Sequence, residues 1–210
     1  MSSFSRKPVR ADARRNAERI LDATAELLAA DPSVSLGQVA ARAGVTRATL
    51  YHHFAGRDAL LDALTARSII EVTAAVQSAR PDEGSAIEAT ERVLRAAWQV
   101  VGRSRGLVIV NPRRLERAEL RRRLGPALGP VRGLILRGQR SGEFDPELPA
   151  DWLIGVITDL IHAASGQVTA GAMDADAAER ALLRTAGAAL PAHRGRPANP
   201  AGPADVSRGG

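Results

Sequence analysis

SLGQVAARAGVTRATLYHHF, residues 35–54, has the pattern of two short helices separated by a glycine. Ser35 followed three residues later by Gln38 is the capping-box pattern that begins a helix. Gly44 suits the left-handed backbone conformation that ends a helix, and Thr46 is a suitable N-cap for the next one. The pattern therefore predicts one helix on each side of a tight glycine turn.

Two short helices joined by a glycine turn are typical of a helix-turn-helix unit. Apolar positions such as Leu50 and Phe54 are spaced to pack the unit onto a preceding helix. The second helix then leaves its polar and small side chains to solvent, namely Thr46, Arg47, Ala48, Thr49, Tyr51, His52 and His53. The major groove of B-DNA is wide enough to admit one helix. In that position these side chains would offer hydroxyls to phosphates, a guanidinium to a guanine edge and a methyl group to a thymine methyl. The unit therefore indicates either DNA binding or a purely structural three-helix domain.

Helix-forming residues dominate the rest of the chain and strand-like alternation is scarce, so the predicted fold class is all-α. Residues 80–84, RPDEG, contain proline and glycine and mark the expected boundary between two functional regions. In the helix that follows this boundary, Ile87 and Trp98 are expected on the apolar face. The predicted helices span 13–30, 35–43, 46–53, 57–80, 85–101, 112–124, 131–140, 150–170 and 174–190.

The composition excludes several classes of site and of protein. The chain has 210 residues, no cysteine and 3% aromatic residues, so a disulfide framework or a cysteine-based metal site is impossible. With 29 Lys+Arg against 23 Asp+Glu, the formal net charge is +6, which weakly favours polyanionic partners. No apolar run approaches the length that spans a bilayer, and the N-terminal segment lacks the apolar stretch of a secretory signal. We therefore expect a cytoplasmic protein with no membrane partner.

The run RILDATAELLAADPSVSLGQVAARAGVTRATLYHHFAGRDALLDAL resembles the N-terminal DNA-binding domain of the tetracycline-repressor (TetR) family of transcriptional regulators. The resemblance covers about residues 13–64, and the string AGVTRATLYHHF is its most specific part. It implies that Arg47 and Ala48 contact base edges and that His52 contacts either a base or the backbone. It implies phosphate contacts from Ser35, Thr49, Tyr51, His53 and Arg57, where Arg57 replaces the lysine usual in the family.

The resemblance also implies a C-terminal helical domain that binds a ligand and dimerises. We accordingly expect the last two predicted helices, which are rich in apolar and small residues, to form the interface of a homodimer. The alternative is that they belong to the core of a monomer. The predicted domains are a flexible basic arm, 1–12; a helix-turn-helix domain, 13–56; a connecting helix, 57–80; a ligand-binding and dimerisation domain, 81–190; and a disordered tail, 191–210.

Four residues of the C-terminal domain are candidate ligand contacts. Trp152, Asp159 and His162 share one face of an apolar helix, which would line a pocket or lie at a helix pair. Trp98 is either a core aromatic residue or a pocket wall. Residues 103–140 carry a net charge of +9, which suggests an anionic effector or a solvated, arginine-rich helix face.

These patterns predict a ligand-responsive DNA-binding regulator, specifically a repressor that binds a pseudo-palindromic operator as a homodimer and is released by a small-molecule effector. The predicted partners are double-stranded DNA, an unidentified small molecule and a second copy of the chain, with no cofactor and no metal. A non-specific architectural DNA-binding protein is one alternative. A helical enzyme that modifies a small molecule is another, and it is disfavoured because no metal-spaced cluster or phosphate-binding glycine loop is present. Adjacent His52 and His53 point about 100° apart on a helix, which disfavours a metal pair.

Overall fold

A computed structural model describes the backbone of residues 7–191, and the side chains of these residues except 7–11, 113 and 117. Its ordered elements are helices, apart from one isolated β-bridge between Phe144 and Pro191. None of the described helices is long and apolar enough to cross a membrane. The helices are α1 (Lys7–Ala30), α2 (Leu36–Ala43), α3 (Arg47–His53), α4 (Arg57–Ser78), α5 (Ala86–Arg103), α6 (Arg105–Arg114), α7 (Arg117–Arg140), α8 (Ala150–Thr169) and α9 (Ala175–Ala189).

The predicted helix-turn-helix unit is confirmed, with its caps. The Ser35 hydroxyl accepts a hydrogen bond from the backbone N–H of Gln38 at 3.3 Å, and the backbone N–H of Ser35 donates to Oε1 of the Gln38 side chain at 2.9 Å. Gly44 ends α2 with φ 63°, a left-handed backbone conformation that glycine adopts readily because it has no Cβ atom. Thr46 begins α3 by accepting a hydrogen bond from the backbone N–H of Thr49 at 3.0 Å. Local side-chain chemistry therefore fixes the turn between α2 and α3.

An apolar cluster holds α1, α2, α3 and α4 together as the N-terminal half. Leu50 of α3 and Leu64 of α4 have no exposed surface, so α3 is anchored through one side while the rest of it stays accessible. Leu107 of α6 belongs to the same cluster although it follows α5 in the chain. The main members from the N-terminal helices are Ile20, Leu28, Val39, Leu50, Leu60 and Leu64.

A second cluster forms the C-terminal half from α5, α7, α8 and α9. Its largest fully buried side chain is Phe144, in the loop that follows α7. The predicted helices over 150–170 and 174–190 are confirmed as α8 and α9, and the Asp174 side chain caps α9 by accepting a hydrogen bond from the backbone N–H of Ala177. Leu153 and Ile157 of α8 are buried on the predicted apolar face.

The structure corrects the predicted helices between α5 and α8. Pro112 lies near the end of α6 and does not begin a helix, while Pro126 and Pro130 lie inside α7. Each proline removes one backbone donor, but burial of apolar residues of α7 such as Leu134 and Ile135 offsets that cost. Tertiary packing thus overrides the local breaker signals.

Two smaller expectations also fail. The first helix begins at Lys7 and not near residue 13, so α1 includes residues 7–12 of the predicted basic arm; residues 1–6 lie outside the described part. Alanine and arginine at these positions favour helix, which explains the extension. Ile87, expected on the buried face of α5, is 45% exposed. The predicted disordered tail lies outside the described residues apart from position 191.

Close packing of α6 on α1 joins the two halves. A Cβ atom at Gly106 would lie 2.5 Å from both the carbonyl carbon and the Cβ of Leu28, and closer still to the Leu28 carbonyl oxygen. Only glycine allows this approach without moving one of the two helices. The first half of α4 packs in the N-terminal cluster and its second half in the C-terminal domain, so α4 and α6 both connect the halves.

Candidate nucleic-acid interface and internal cavity

One face of α3 is exposed to solvent while the opposite side is buried. Arg47 and Tyr51 are four residues apart, as are Ala48 and His52, so the four side chains share one continuous face of the helix. All four are exposed, and Tyr51 has 53% of its surface accessible. Leu50 is fully buried beneath them. The predicted base-contacting residues are therefore available to a ligand as large as a DNA duplex.

The hydroxyl groups predicted to contact phosphates form hydrogen bonds within the caps of α2 and α3. Ser35 donates from Oγ to the Gln38 side chain at 2.7 Å, within the capping box of α2. The hydroxyls of Thr46 and Thr49 lie 2.8 Å apart at the start of α3. Ser35 and Thr46 are exposed and Thr49 is half-buried, so their oxygens keep free lone pairs on the surface. Their primary role in the structure is to position α2 and α3.

Arg47 lies against α2. Its guanidinium nitrogen is 2.6 Å from the point that a Cβ atom at Gly37 would occupy, so the missing side chain of Gly37 leaves room for it. His53 is half-buried at the other end of α3, with its ring 6.2 Å from the ring of Phe54. His52 and His53 have ring centroids 5.6 Å apart at a steep angle of 75°. Sequence spacing had not indicated the contact between Arg47 and Gly37.

The charge around α2 and α3 is one-sided. Residues 32–57 contain three arginines, Arg42, Arg47 and Arg57, and no aspartate or glutamate. Arg42 is paired with Glu26 of α1 at 2.6 Å across an exposed surface, which leaves Arg47 as the basic side chain on the exposed face of α3. A surface with this bias attracts the phosphate backbone of nucleic acid.

Arg57, predicted to contact a phosphate, forms hydrogen bonds within the protein. Its guanidinium is half-buried and donates hydrogen bonds to the backbone carbonyls of Val34 and of Pro32, the latter at 2.6 Å. In the same loop, the hydroxyl and the N–H of Ser33 donate to Asp31, and together with the nearby Arg57 charge they lower the pKa of that carboxyl group below its usual value. Arg57 thus fastens the loop between α1 and α2.

Arg57→Ala is expected to lower the free energy of unfolding by about 1–3 kcal/mol, because it leaves carbonyl groups without their charged donor. Denaturant unfolding of the full chain measures this. Arg14→Ala is a matched control: Arg14 forms an exposed ion pair with Glu18 one helical turn away, which contributes at most about 0.5 kcal/mol. If Arg57→Ala instead leaves the stability unchanged and weakens DNA binding, Arg57 acts as the predicted phosphate contact.

A partly open cavity of about 160 Å³ lies between α4, α5, α6, α7 and α8. Aliphatic side chains form most of its wall, and the lining includes no aspartate, glutamate, lysine or arginine. An outer recess of about 370 Å³ shares six lining residues with this chamber and adds the charged residues Arg121 and Asp159. The shared residues are Leu120, Leu124, Leu128, Ile154, Thr158 and His162.

The structure distributes the four candidate ligand residues among different environments. His162 lines both the chamber and the recess, and Asp159 is exposed in the recess. Trp98 does not line the cavity: it is 3% exposed and packs in a small core cluster with Ala164 and Leu182. Trp152 is 61% exposed on the outer side of α8, away from the chamber lining. Apart from His162, the residues of the chamber wall were not among the predicted ligand contacts.

A polar cluster closes the end of the chamber nearest to the N-terminal domain. Asn111 of α6 is buried and donates from Nδ2 to the hydroxyl of Thr65 on α4 at 3.1 Å. Arg114 donates to Asn111 at 3.2 Å and to Asp62 at 3.0 Å. Arg123 of α7 donates to the same Asp62 oxygen at 2.8 Å, and the bonds from Arg123 and Arg114 lower the pKa of Asp62. The cluster therefore ties α4, α6 and α7 together.

This cluster also accounts for part of the basic stretch over 103–140. Arg114 and Arg123 are paired with Asp62, and Arg122 is paired with Glu119. The arginines described here neutralise protein carboxylates, and none lines the chamber. Among the described residues, no group of three or more His, Asp or Glu side chains is arranged to hold a metal ion.

Comparison with known proteins gives a match for the N-terminal region. Residues 20–64 match the family described as bacterial regulatory proteins, tetR family. The chain is 39% identical over 83 residues to the HTH-type transcriptional repressor LfrR of Mycolicibacterium smegmatis, covering 39% of this chain and 43% of the relative. It is 41% identical over 58 residues to the uncharacterized HTH-type transcriptional regulator TtgW of Pseudomonas putida, covering 27% of this chain and 43% of the relative. The chain thus spans less than half the length of these curated relatives.

Solved structures match over most of the chain. The structure of the TetR-like regulator LfrR from Mycobacterium smegmatis in complex with proflavine aligns with a TM-score of 0.70 and 25% identity, covering 86% of this chain and 98% of that one. A TetR family regulator from Marinobacter aquaeolei aligns with a TM-score of 0.67 at 18% identity, covering 88% and 100% of the two chains, which shows a shared fold alone. The helix-turn-helix region of this chain therefore matches the tetR family of bacterial regulatory proteins over residues 20–64, and its all-helical architecture is similar to that of a TetR-like regulator.

Proposed function

We propose that this protein is a transcriptional repressor that binds an operator through α3 and is released when a small molecule enters the cavity. The observation that carries the proposal is the exposed face of α3, with Arg47 and Tyr51 held outward by the buried Leu50. An exposed helix of this size fits the major groove, and its N-terminal residues are the ones that reach base edges in helix-turn-helix proteins. The LfrR structure that contains proflavine supports a small molecule as the effector.

The contacts between the cavity and the N-terminal domain supply a route for regulation. Leu107 packs in the N-terminal cluster and also lines the chamber, so a ligand that displaces it acts directly on the DNA-binding half. Gly106, its neighbour, touches Leu28 of α1, and Asn111 bonds to Thr65 of α4. A ligand that favours a different position of α6 therefore changes the placement of α1 and α4. A coupling free energy of about 1–3 kcal/mol changes DNA affinity about 5–150-fold.

A single α3 reads one half-site, so the proposal includes a homodimer. The proposed interface is formed by α8 and α9, where Trp152 is 61% exposed. A large exposed aromatic side chain is typical of an interaction surface. A two-fold dimer would place two copies of α3 in successive major grooves, about 34–36 Å apart.

Selection from a pool of random-sequence DNA with the full chain tests the proposal. The expected product is an inverted repeat whose half-site centres are about one helical turn of DNA apart. Footprinting should show protection of both half-sites, and analytical ultracentrifugation should show a dimer on one DNA molecule. Enrichment of no sequence would favour the alternative of a non-specific architectural DNA-binding protein and would refute the repressor.

A further inference from the structure

The internal chamber has a chemical character that restricts its ligand. We infer that the effector is an uncharged, mainly apolar molecule with a compact aliphatic body and one hydrogen-bond donor that binds His162. This inference rests on the proposed function, because it names the chemical class of the molecule that regulates the repressor.

The lack of charge in the chamber lining excludes an ionic ligand. A charged group that enters this aliphatic space loses its hydration and meets no side chain of opposite charge. Asp62 and Arg114, close to the end of the chamber, are already paired with each other at 3.0 Å. Arg121 and Asp159 line the outer recess, and because both are exposed, water already solvates their charges.

The hydroxyl groups in the wall are committed as donors to their own helices. Thr65 donates to the carbonyl of Leu61 at 2.6 Å, and Thr90 and Thr158 donate in the same way at 2.8 Å to carbonyls four residues earlier. A hydroxyl that has used its hydrogen offers only lone pairs to a ligand. Ser68 and Ser104 add hydroxyls that can rotate to either role, and Asn111 retains one N–H beside Thr65. The chamber wall therefore offers more acceptors than donors.

His162 supplies the most specific acceptor. Its Nδ1 lies 2.7 Å from the carbonyl oxygen of Thr158, and a carbonyl oxygen can only accept, so Nδ1 carries the hydrogen. In the neutral ring, Nε2 is then an acceptor with a free lone pair. Because His162 lines both the chamber and the recess, a ligand with its apolar body inside presents its polar end at this residue.

Four bridgehead-substituted adamantanes test the inference, because they share one compact aliphatic body and differ in the polar end. The compounds are adamantanol, fluoroadamantane, adamantane carboxylate and adamantyl ammonium, each titrated into the full chain at neutral pH by calorimetry. We expect the alcohol to bind most tightly. Fluoroadamantane, which has no donor, should bind about 2–12-fold more weakly, the loss expected for one hydrogen bond. Both ions should bind at least about tenfold more weakly than the alcohol.

His162→Phe identifies the acceptor. It should reduce the ratio of alcohol to fluoride affinity to about one while retaining the binding of fluoroadamantane. Gln167→Ala, an exposed change on the same helix and outside the lining, should leave both affinities unchanged. The inference is overturned if either ion binds as tightly as the alcohol, if the alcohol does not bind, or if His162→Phe keeps the original ratio.

Operator binding is measured separately, without any adamantane. If the protein binds DNA selectively but the ligand affinities have the wrong order, the inferred ligand class is refuted and the proposed repressor function is retained. The predicted ligand order without selective DNA binding would refute the repressor and retain the chemistry of the site.

Discussion

Gly106→Ala should lower the free energy of unfolding by about 3 kcal/mol, the upper end of what overpacking costs. The new methyl group would overlap the backbone of Leu28, which is part of α1 and cannot rotate away as a flexible side chain would. Either α1 or α6 must move, and Leu107 would then leave its place in the N-terminal cluster. Denaturant unfolding followed by circular dichroism measures the loss.

Gly133→Ala is the matched control for this substitution. Gly133 lies inside α7, and a Cβ atom there would meet nothing within 4 Å. Because alanine is the better helix former, this variant should be more stable than the parent by about 0.5–1 kcal/mol. A pair of variants with equal stability would show that the contact between α6 and α1 is not tight. Opposite signs would establish Gly106 as the position where the two halves are held together.

The DNA-binding half was predictable because short-range signals determine it. Ser35, Gly44 and Thr46 each act on backbone groups within a few residues, and these signals gave the bounds of α2 and α3 to within one residue. The buried positions of α3 follow from the helical period, which places Leu50 inward and Arg47 outward. The role of Arg57 was missed because its partners, the carbonyls of the loop between α1 and α2, lie more than twenty residues away in sequence.

The cavity was not predictable because five helices from α4 to α8 contribute to it. Periodicity identifies the apolar face of one helix and does not show which neighbour covers it. Trp98 was therefore left as either a core residue or a pocket wall, and Trp152 was grouped with the ligand contacts. The predicted helix over 112–124 was wrong for a related reason, because Pro112 lies inside α6 and Pro126 inside α7. Their local cost is real, but burial contributed by distant residues decides the outcome.

Arg47→Ala should weaken binding to the selected operator about 5–150-fold, the range expected for loss of one base-specific contact of about 1–3 kcal/mol. Affinity for random-sequence DNA should change little, since a base contact adds to specific binding and phosphate contacts dominate the non-specific part. The guanidinium is exposed on α3 and lies over Gly37 of α2. Fluorescence anisotropy with both DNAs across a series of salt concentrations measures the two affinities.

Arg42→Ala is the control that distinguishes a base contact made by Arg47 from the effect of removing one positive charge. Arg42 is five residues earlier, is exposed on α2 and is paired with Glu26, so the variant removes the same positive charge from a position outside the exposed face of α3. It should reduce the affinity for both DNAs slightly and equally, because only the long-range attraction to phosphates changes. If the two arginine variants lose the same affinity on both DNAs, Arg47 acts through charge alone and α3 reads no base at this position. A loss confined to Arg47 and to the operator places the guanidinium at a base edge.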